Sequence, residues 1–233
     1  MPTHSSDEPV APLAGALTVT VAGASLQLLP ERALWYAEAS TLFVADLHWG
    51  KAAAFRAAHV PVPMGTTSSD LARLSSALHT TGADHLVVLG DLLHARAGRH
   101  DETLRTIAAW RDRHAALRIT LVRGNHDQHA GDPPRALDIA CTDEPLVVGP
   151  FVGMHEPAEH ANGYVLCGHL HPCVTVRGRG RQSLRLPAFV FGPQRGVLPA
   201  FSTFTGGGMY RVCGDDRLFC IAAETVVAVT DGS

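Results

Sequence analysis

Lysine is almost missing from this chain. Of its 19 basic residues only Lys51 is a lysine, and arginine supplies the rest. A basic surplus is missing too. With 22 acidic residues the net charge is −3, which excludes a general polycationic coat for nucleic acid. Any phosphate-backbone contact must come from a local patch. No apolar run approaches the roughly 18 residues of a membrane helix, so no span is expected. Met1 to Ala14 lacks the basic-then-apolar order of a secretory signal. Residues 1–15 read as a disordered tail, and 16–233 as a single domain. A disulfide framework is absent as well. The five cysteines (Cys141, Cys167, Cys173, Cys213 and Cys220) are odd in number, and most sit in or beside apolar strands. Reduced core thiols and a cytoplasmic address follow. Internal repeats, low-complexity linkers and an inter-domain break are not found.

What is present is an ordinary globular composition, with enough apolar residues for a sizeable core. Residues 18–21 and 25–28 alternate polar and apolar around Gly23 and predict a hairpin. Apolar strands are predicted at 41–45, 86–89 and 119–122. Between them lie a loop at 59–65, a helix over 68–80 with Leu71, Leu74 and Leu78 on one face, and a helix over 101–116. Alternating strands and helices imply βαβ units, whose ligands collect beyond the carboxyl ends of the strands. After residue 145 helical periods nearly vanish. Strand-like segments fall at 145–148, 151–152, 164–167, 174–176, 183–191, 210–212, 218–221 and 225–229. An α/β half packed on a β-rich half implies a two-sheet core with helices outside.

Five short blocks end apolar runs in a fixed order: Asp46-Leu47-His48, Gly90-Asp91, Gly124-Asn125-His126-Asp127, His155, and Gly168-His169-Leu170-His171. Their oxygen and imidazole donors, without thiolate, suit manganese, iron or zinc. Two such ions about 3.5–4 Å apart are a standard device for hydrolysing phosphate esters. Asp46 and His48 are two apart, as are His169 and His171, so an extended backbone would present each pair on one face. Cys167 and Cys173 bracket the last block, which leaves a single Cys2His2 zinc as an alternative. That alternative gives the other four blocks no role.

The ordered set D-x-H, G-D, G-N-H-D, H, G-H-x-H resembles the calcineurin-like metallophosphoesterase superfamily across residues 46–171. Ala45-Asp-Leu-His-Trp-Gly-Lys51, Phe55-Arg56 with Val60-Pro-Val-Pro-Met-Gly65, and Leu198-Pro-Ala-Phe-Ser-Thr-Phe-Thr-Gly-Gly207 look like its ligase-associated DNA damage response endonuclease group. The resemblance implies a four-layer αββα sandwich. It implies two divalent metals, manganese first with iron or zinc as alternatives. One metal would take Asp46, His48 and His171, the other Asn125, His155 and His169, with Asp91 bridging. A water bridging the ions would ionise near neutral pH and attack phosphorus in line. His126 is the candidate general acid for the leaving oxygen, with Asp127 expected to orient its imidazole.

Other residues carry two readings each. Lys51 is a solvated helix residue or a phosphate-facing ammonium. His94 and Arg96 contact substrate phosphate or lie in a solvated loop. The segment Arg177-Gly-Arg-Gly-Arg181 is a soluble hairpin tip or a nucleic-acid contact. Phe204 to Gly208 reads as a tight turn. The leading expectation is a phosphodiesterase acting on DNA, associated with a DNA ligase and helicase. The alternative is a hydrolase of cyclic nucleotides, dinucleoside polyphosphates or other small phosphoesters. A scaffold that has lost catalysis fits less well, because every ligand position is filled.

Overall fold

The computed structural model describes residues 11–62, 65–143, 145–177, 182–211 and 213–229. The expected hairpin opens the first sheet. Strands β1 (Leu17–Val21) and β2 (Ala24–Leu29) are antiparallel across Ala22 and Gly23, both at positive φ, the turn that matches strand twist. β3 (Ala33–Tyr36), β4 (Thr41–Val44), β5 (His85–Leu89), β6 (Arg118–Val122) and β7 (Ala140–Thr142) follow in spatial order. Pairing is antiparallel as far as β4 and parallel from β4 to β7.

The parallel part is built by the βαβ units that the sequence implies. Helices α1 (Lys51–Ala57) and α2 (Thr66–Thr81) link β4 to β5, and α3 (Asp101–Arg113) links β5 to β6. Period-2 alternation divides the strand residues between two cores. Leu42, Val44, Leu86 and Val88 face the helices and pack with Leu71, Leu74, Ile107 and Trp110. Phe43, Val87 and Leu89 point the other way, into a core shared with the second sheet through Phe151, Leu166, Phe189, Phe191 and Phe219.

The second sheet comprises β8 (Leu146–Val148), β9 (Phe151–Gly153), β10 (Tyr164–Cys167), β11 (Pro172–Arg177), β12 (Ser183–Phe191), β13 (Arg195–Val197), β14 (Gly208–Met209), β15 (Arg217–Ala222) and β16 (Thr225–Val229). Its order is β14-β11-β12-β13-β10-β9-β8, with β15 also paired to β12 and β16 to β15. Two mixed sheets with flanking helices form the α/β fold expected. The described α-helices all fall between Lys51 and Ala130, the last being α4 (Asn125–Ala130). The outer face of the second sheet carries a small cluster of Val152, Val165, Cys167, Val190 and Val197.

Some expectations shift. The strand placed at 210–212 occurs at Gly208–Met209, where it pairs with β11; Val212 lies outside the described residues. Of the tail, residues 1–10 also lie outside them. Residues 11–15 are not loose: the Gln27 side chain accepts from Leu13 N and donates to Ala11 O, and Gly15 O accepts from Val226 N. Gly178 to Arg181, most of the arginine segment, lie outside the described residues, as do Pro63 and Met64. No helix among the described residues is long and apolar enough to cross a membrane.

Candidate metal centre

Asp46 follows β4, Asp91 follows β5 and Asn125 opens α4 just after β6. The three therefore meet at the carboxyl edge of the parallel strands, as the fold rule requires. His155 follows β9, and His169 and His171 follow β10, so the second sheet delivers three imidazoles to the same place. Beyond the strands, the two loops of the first sheet stay zipped: Asp46 N donates to Gly90 O, His48 N to Asp91 O and Trp49 N to Leu92 O.

The backbone geometry corrects the extended reading of the D-x-H and H-x-H blocks. Asp46, His48, Asp91, His169 and His171 all have positive φ, from 45 to 69°. Left-handed backbone is sparsely populated by non-glycine residues, and it concentrates at functional sites that the surrounding structure over-determines. The paired side chains thus converge through two left-handed residues rather than through a pleat. Two motif glycines serve close approach. A Cβ on Gly90 would overlap the His155 ring, and one on Gly124 would overlap Asp91 Oδ1.

The donor atoms fall into two groups around Asp91. In the first, the ligand atoms of Asp46, His48 and His171 lie within 4.8 Å of one another. Asp46 Oδ1, His48 Nε2 and His171 Nε2 are buried and have no hydrogen-bond partner. Orphaned buried polar atoms are rare and costly. Three aimed at one another are the pattern expected of a cation site. In the second, His155 Nε2 lies 2.9 Å from Asn125 Oδ1 and 3.1 Å from His169 Nδ1. The Nδ1 of His155 meets the Leu89 carbonyl at 3.1 Å, which assigns the proton to Nδ1 and a lone pair to Nε2. A lone pair facing an amide oxygen at 2.9 Å is relieved by a cation between them. Asp91 spans the groups, with Oδ2 3.6 Å from His48 Nε2 and Oδ1 3.6 Å from His155 Nε2.

Burial raises the Asp91 carboxyl above its usual range and lowers His48 to about 2, so both are poised against charge in the bare protein. A bound cation reverses that logic for the carboxylate and is compatible with a neutral imidazole. The donor set fits divalent metal. The metal-like clusters contain no cysteine, and all five thiols are free, so the Cys2His2 alternative has no support among the described residues.

His126 stands beside this centre with its Nε2 4.0 Å from Asp91 Oδ2. Its orientation differs from expectation. Nδ1 bonds the His94 carbonyl at 2.9 Å, while both oxygens of Asp127 are engaged elsewhere. Oδ1 accepts from Leu92 N and Leu93 N, and Oδ2 accepts from Gly124 N. Asp127 therefore ties the loop after β5 to the start of α4, and the backbone of His94 aims His126. The His94 ring stacks on His126 at 5.0 Å, and its Nδ1 lies 3.4 Å from His48 Nδ1. Burial, with Lys51 adding to it, lowers the His94 pKa to about 4. Lys51 is half-buried at the start of α1. Burial lowers its pKa against the pull of Asp91 and Asp46, which places its ammonium within their electrostatic reach. Arg96 is exposed, and its Nε bonds the His129 carbonyl.

The sequence reading missed three arginines. Arg32 holds the carbonyls of Ala200 and Ser202, Arg73 that of Phe201, and Arg185 that of Gly207. They pin the loop whose Gly206 carbonyl bonds His171 Nδ1 at 3.3 Å. The only available signal was the loop's motif, Leu198 to Gly207, because nothing local links it to residues 32, 73 or 185. A cavity of about 690 Å³ opens between α1 and the first turns of α2 and α3, and none of the seven candidate ligands lines it.

The chain matches the family model for calcineurin-like phosphoesterase over residues 39–187. Among solved structures it is similar to nuclease MPE of Pseudomonas putida, with 41% identity and a TM-score of 0.81 over 92% of this chain and 100% of that one. It shares 18% identity with the phosphoesterase Yfce from E. coli, with a TM-score of 0.39 over 80% of this chain and 90% of that one. None of the curated proteins matches it.

Proposed function

The chain belongs to the calcineurin-like phosphoesterase family and is a metal-dependent phosphoesterase, and from that premise we propose that it is a two-metal phosphodiesterase that cuts DNA. The observation that carries the two-metal reading is the Asp91 carboxylate, whose separate oxygens face separate donor groups. A carboxylate can offer one oxygen to each of two ions, which no amide or imidazole can do. In this reading Asp46, His48 and His171 would hold one ion and Asn125, His155 and His169 the other. Manganese is the first candidate, then iron or zinc. The bound ions would supply Lewis acidity toward the phosphate and an activated water.

The protein's own residues do the rest. Hydrolysis forms one P–O bond to water and breaks another, and the departing oxygen needs a proton. His126 supplies it from Nε2, because Nδ1–H is committed to the His94 carbonyl. Lys51 and His94 face the incoming phosphate, with Arg96 further out. Nucleic acid as substrate is supported by the similarity to the Pseudomonas putida nuclease. A role in repair beside a DNA ligase and a helicase rests on the subgroup resemblance of residues 45–51, 55–65 and 198–207, and a cytoplasmic address on the five free cysteines.

The test is a substrate panel on manganese-loaded protein: bis-(p-nitrophenyl) phosphate, the corresponding monoester, 2′,3′-cyclic AMP, a dinucleoside polyphosphate, and single- and double-stranded DNA. We expect efficient diester cleavage, weak monoester cleavage, and manganese-dependent cutting of DNA. Rapid turnover of the small substrates with no DNA cleavage under any metal would reject the nuclease reading and leave the two-metal reading standing.

A further inference from the structure

A cavity of about 200 Å³ opens directly beside the metal centre, with His171 in its wall. Arg32, Arg185, Cys173, Thr203 and Thr205 line it with His171, and no carboxylate does. Asp70 is the one carboxylate acting on Arg32, and it is already paired with Arg73 at 2.8 Å. Two guanidiniums thus share a small polar space whose lining carries no carboxylate, with Asp70 acting on Arg32 from outside it. Both have donors to spare. Arg32 uses Nη1 for the carbonyls of Ala200 and Ser202, and Arg185 uses Nη2 for Gly207, the hydrogen bonds they make among the described residues. A guanidinium carries five N–H donors in a planar fork suited to phosphate oxygens. The Arg32 head is held against the 200–202 backbone by the two hydrogen bonds of Nη1, which orient its fork before any ligand arrives.

We propose that this cavity is a second phosphate subsite, which receives the phosphodiester next to the one being cut and so fixes the register of the nucleic-acid strand. The inference rests on the nuclease reading and deepens it. Size argues for a phosphate alone: about 200 Å³ is below the roughly 300–1,000 Å³ of pockets that take drug-sized ligands. Continuity argues for the same strand. His171 belongs both to the metal centre and to the cavity wall, so a group in the cavity lies one side chain from the reacting phosphorus. The arrangement also accounts for the Leu198–Gly207 motif. Two of the three arginines that pin this loop by its carbonyls, Arg32 and Arg185, are those that line the cavity.

Arg185, exposed on β12, can be changed without touching the half-buried Arg32 clamp. Arg185→Ala and Arg185→Lys should be compared with the wild type in the manganese-loaded enzyme, on a single-stranded oligonucleotide and on bis-(p-nitrophenyl) phosphate. The small diester has one phosphate and does not reach the subsite. For Arg185→Ala we expect KM on the oligonucleotide to rise about tenfold, with a much smaller change on the small diester. The slope of log affinity against log salt should flatten by roughly 0.7, the value of one contact on single-stranded DNA. Arg185→Lys should restore the salt slope but only part of KM, since an ammonium keeps the charge and loses the fork. Equal losses on both substrates would show that Arg185 merely supports His171 through the loop, and would overturn the subsite. An unchanged KM and salt slope on DNA would overturn it too. A wild-type enzyme that cuts the small diester and leaves DNA intact would instead reject the nuclease reading on which the subsite depends.

Discussion

At the residue scale three donor atoms of the candidate centre, Asp46 Oδ1, His48 Nε2 and His171 Nε2, make no hydrogen bond, and the others divide around Asp91, which makes single substitutions informative. Asp91→Asn keeps the shape and one acceptor oxygen but removes the second and the charge. We expect elemental analysis to show a loss of bound metal from both groups, and hydrolysis to fall close to background. One ion at saturation with full wild-type activity would reject the dinuclear assignment. His126 separates from the ligands because its backbone N–H, rather than its ring, bonds Asp91 Oδ1 at 3.0 Å. His126→Ala keeps that bond, so metal content should stay at the wild-type level. The rate on DNA should drop about 10²–10⁴-fold, the usual contribution of a positioned general acid. The drop should be much smaller on a p-nitrophenyl diester, whose leaving group needs no proton. Equal drops would count against the acid role.

At the scale of elements, the strand ends were legible and the short connectors were not. β4, β5 and β6 are uninterrupted apolar runs that stop at Asp46, Asp91 and Asn125, so periodicity located both the strands and their motifs. β3 reads Ala-Leu-Trp-Tyr, buried at every position, and offers no alternation to detect. α1 is alanine-rich with no apolar stripe, and it is held by packing rather than by pattern. α4 spans six residues, too few to show a helical period. The motifs that converge on the candidate centre were legible for the same reason as the strands, whereas the Asp127 and His94 contacts are backbone bonds between loops about 35 residues apart in sequence. Asp127→Asn should therefore act on the loops first. It leaves one of three backbone N–H groups facing an amide donor, which costs about 1–3 kcal/mol for an unsatisfied buried group. Chemical denaturation should show that loss in metal-free protein, where a catalytic role for Asp127 would show none. β5 and β6 carry a second dependence. His85 is buried, bonds Thr120 Oγ1 at 2.9 Å, and has its pKa lowered to about 4, chiefly by burial. An unfolded histidine titrates near 6.5. The folded state thus favours the neutral ring, and its contribution is complete above about pH 6.5 and is lost as pH falls toward 4. His85→Gln, which does not titrate, should flatten the fall in Tm across that window; an unchanged slope would assign the acid sensitivity elsewhere.

At the scale of the whole molecule, the candidate centre joins residues delivered by both sheets. The sheets already share an apolar core, but at their carboxyl edges the contact is polar: Asp46, Asp91 and Asn125 on one side, His155, His169 and His171 on the other. In metal-free protein these edges leave Asp46 Oδ1, His48 Nε2 and His171 Nε2 without a hydrogen bond, Asp46 Oδ1 lying 3.4 Å from His171 Nε2, which is a local cost of folding. Metal removes that cost only in the folded chain, because the unfolded chain cannot gather ligands separated by up to 125 positions. Binding is therefore stabilisation. At a free concentration 100 times Kd, each ion adds about 2.7 kcal/mol to unfolding. We expect manganese to raise Tm in a concentration-dependent way and EDTA to reverse it. The ligand substitutions should divide by ion rather than by sheet. His171→Ala should forfeit the share of one ion, His155→Ala that of the other, and Asp91→Asn most of both. If His155→Ala and His171→Ala each abolished the whole shift, the two ions would bind only as a pair. If neither reduced it, the metal that stabilises the fold would have to be held elsewhere.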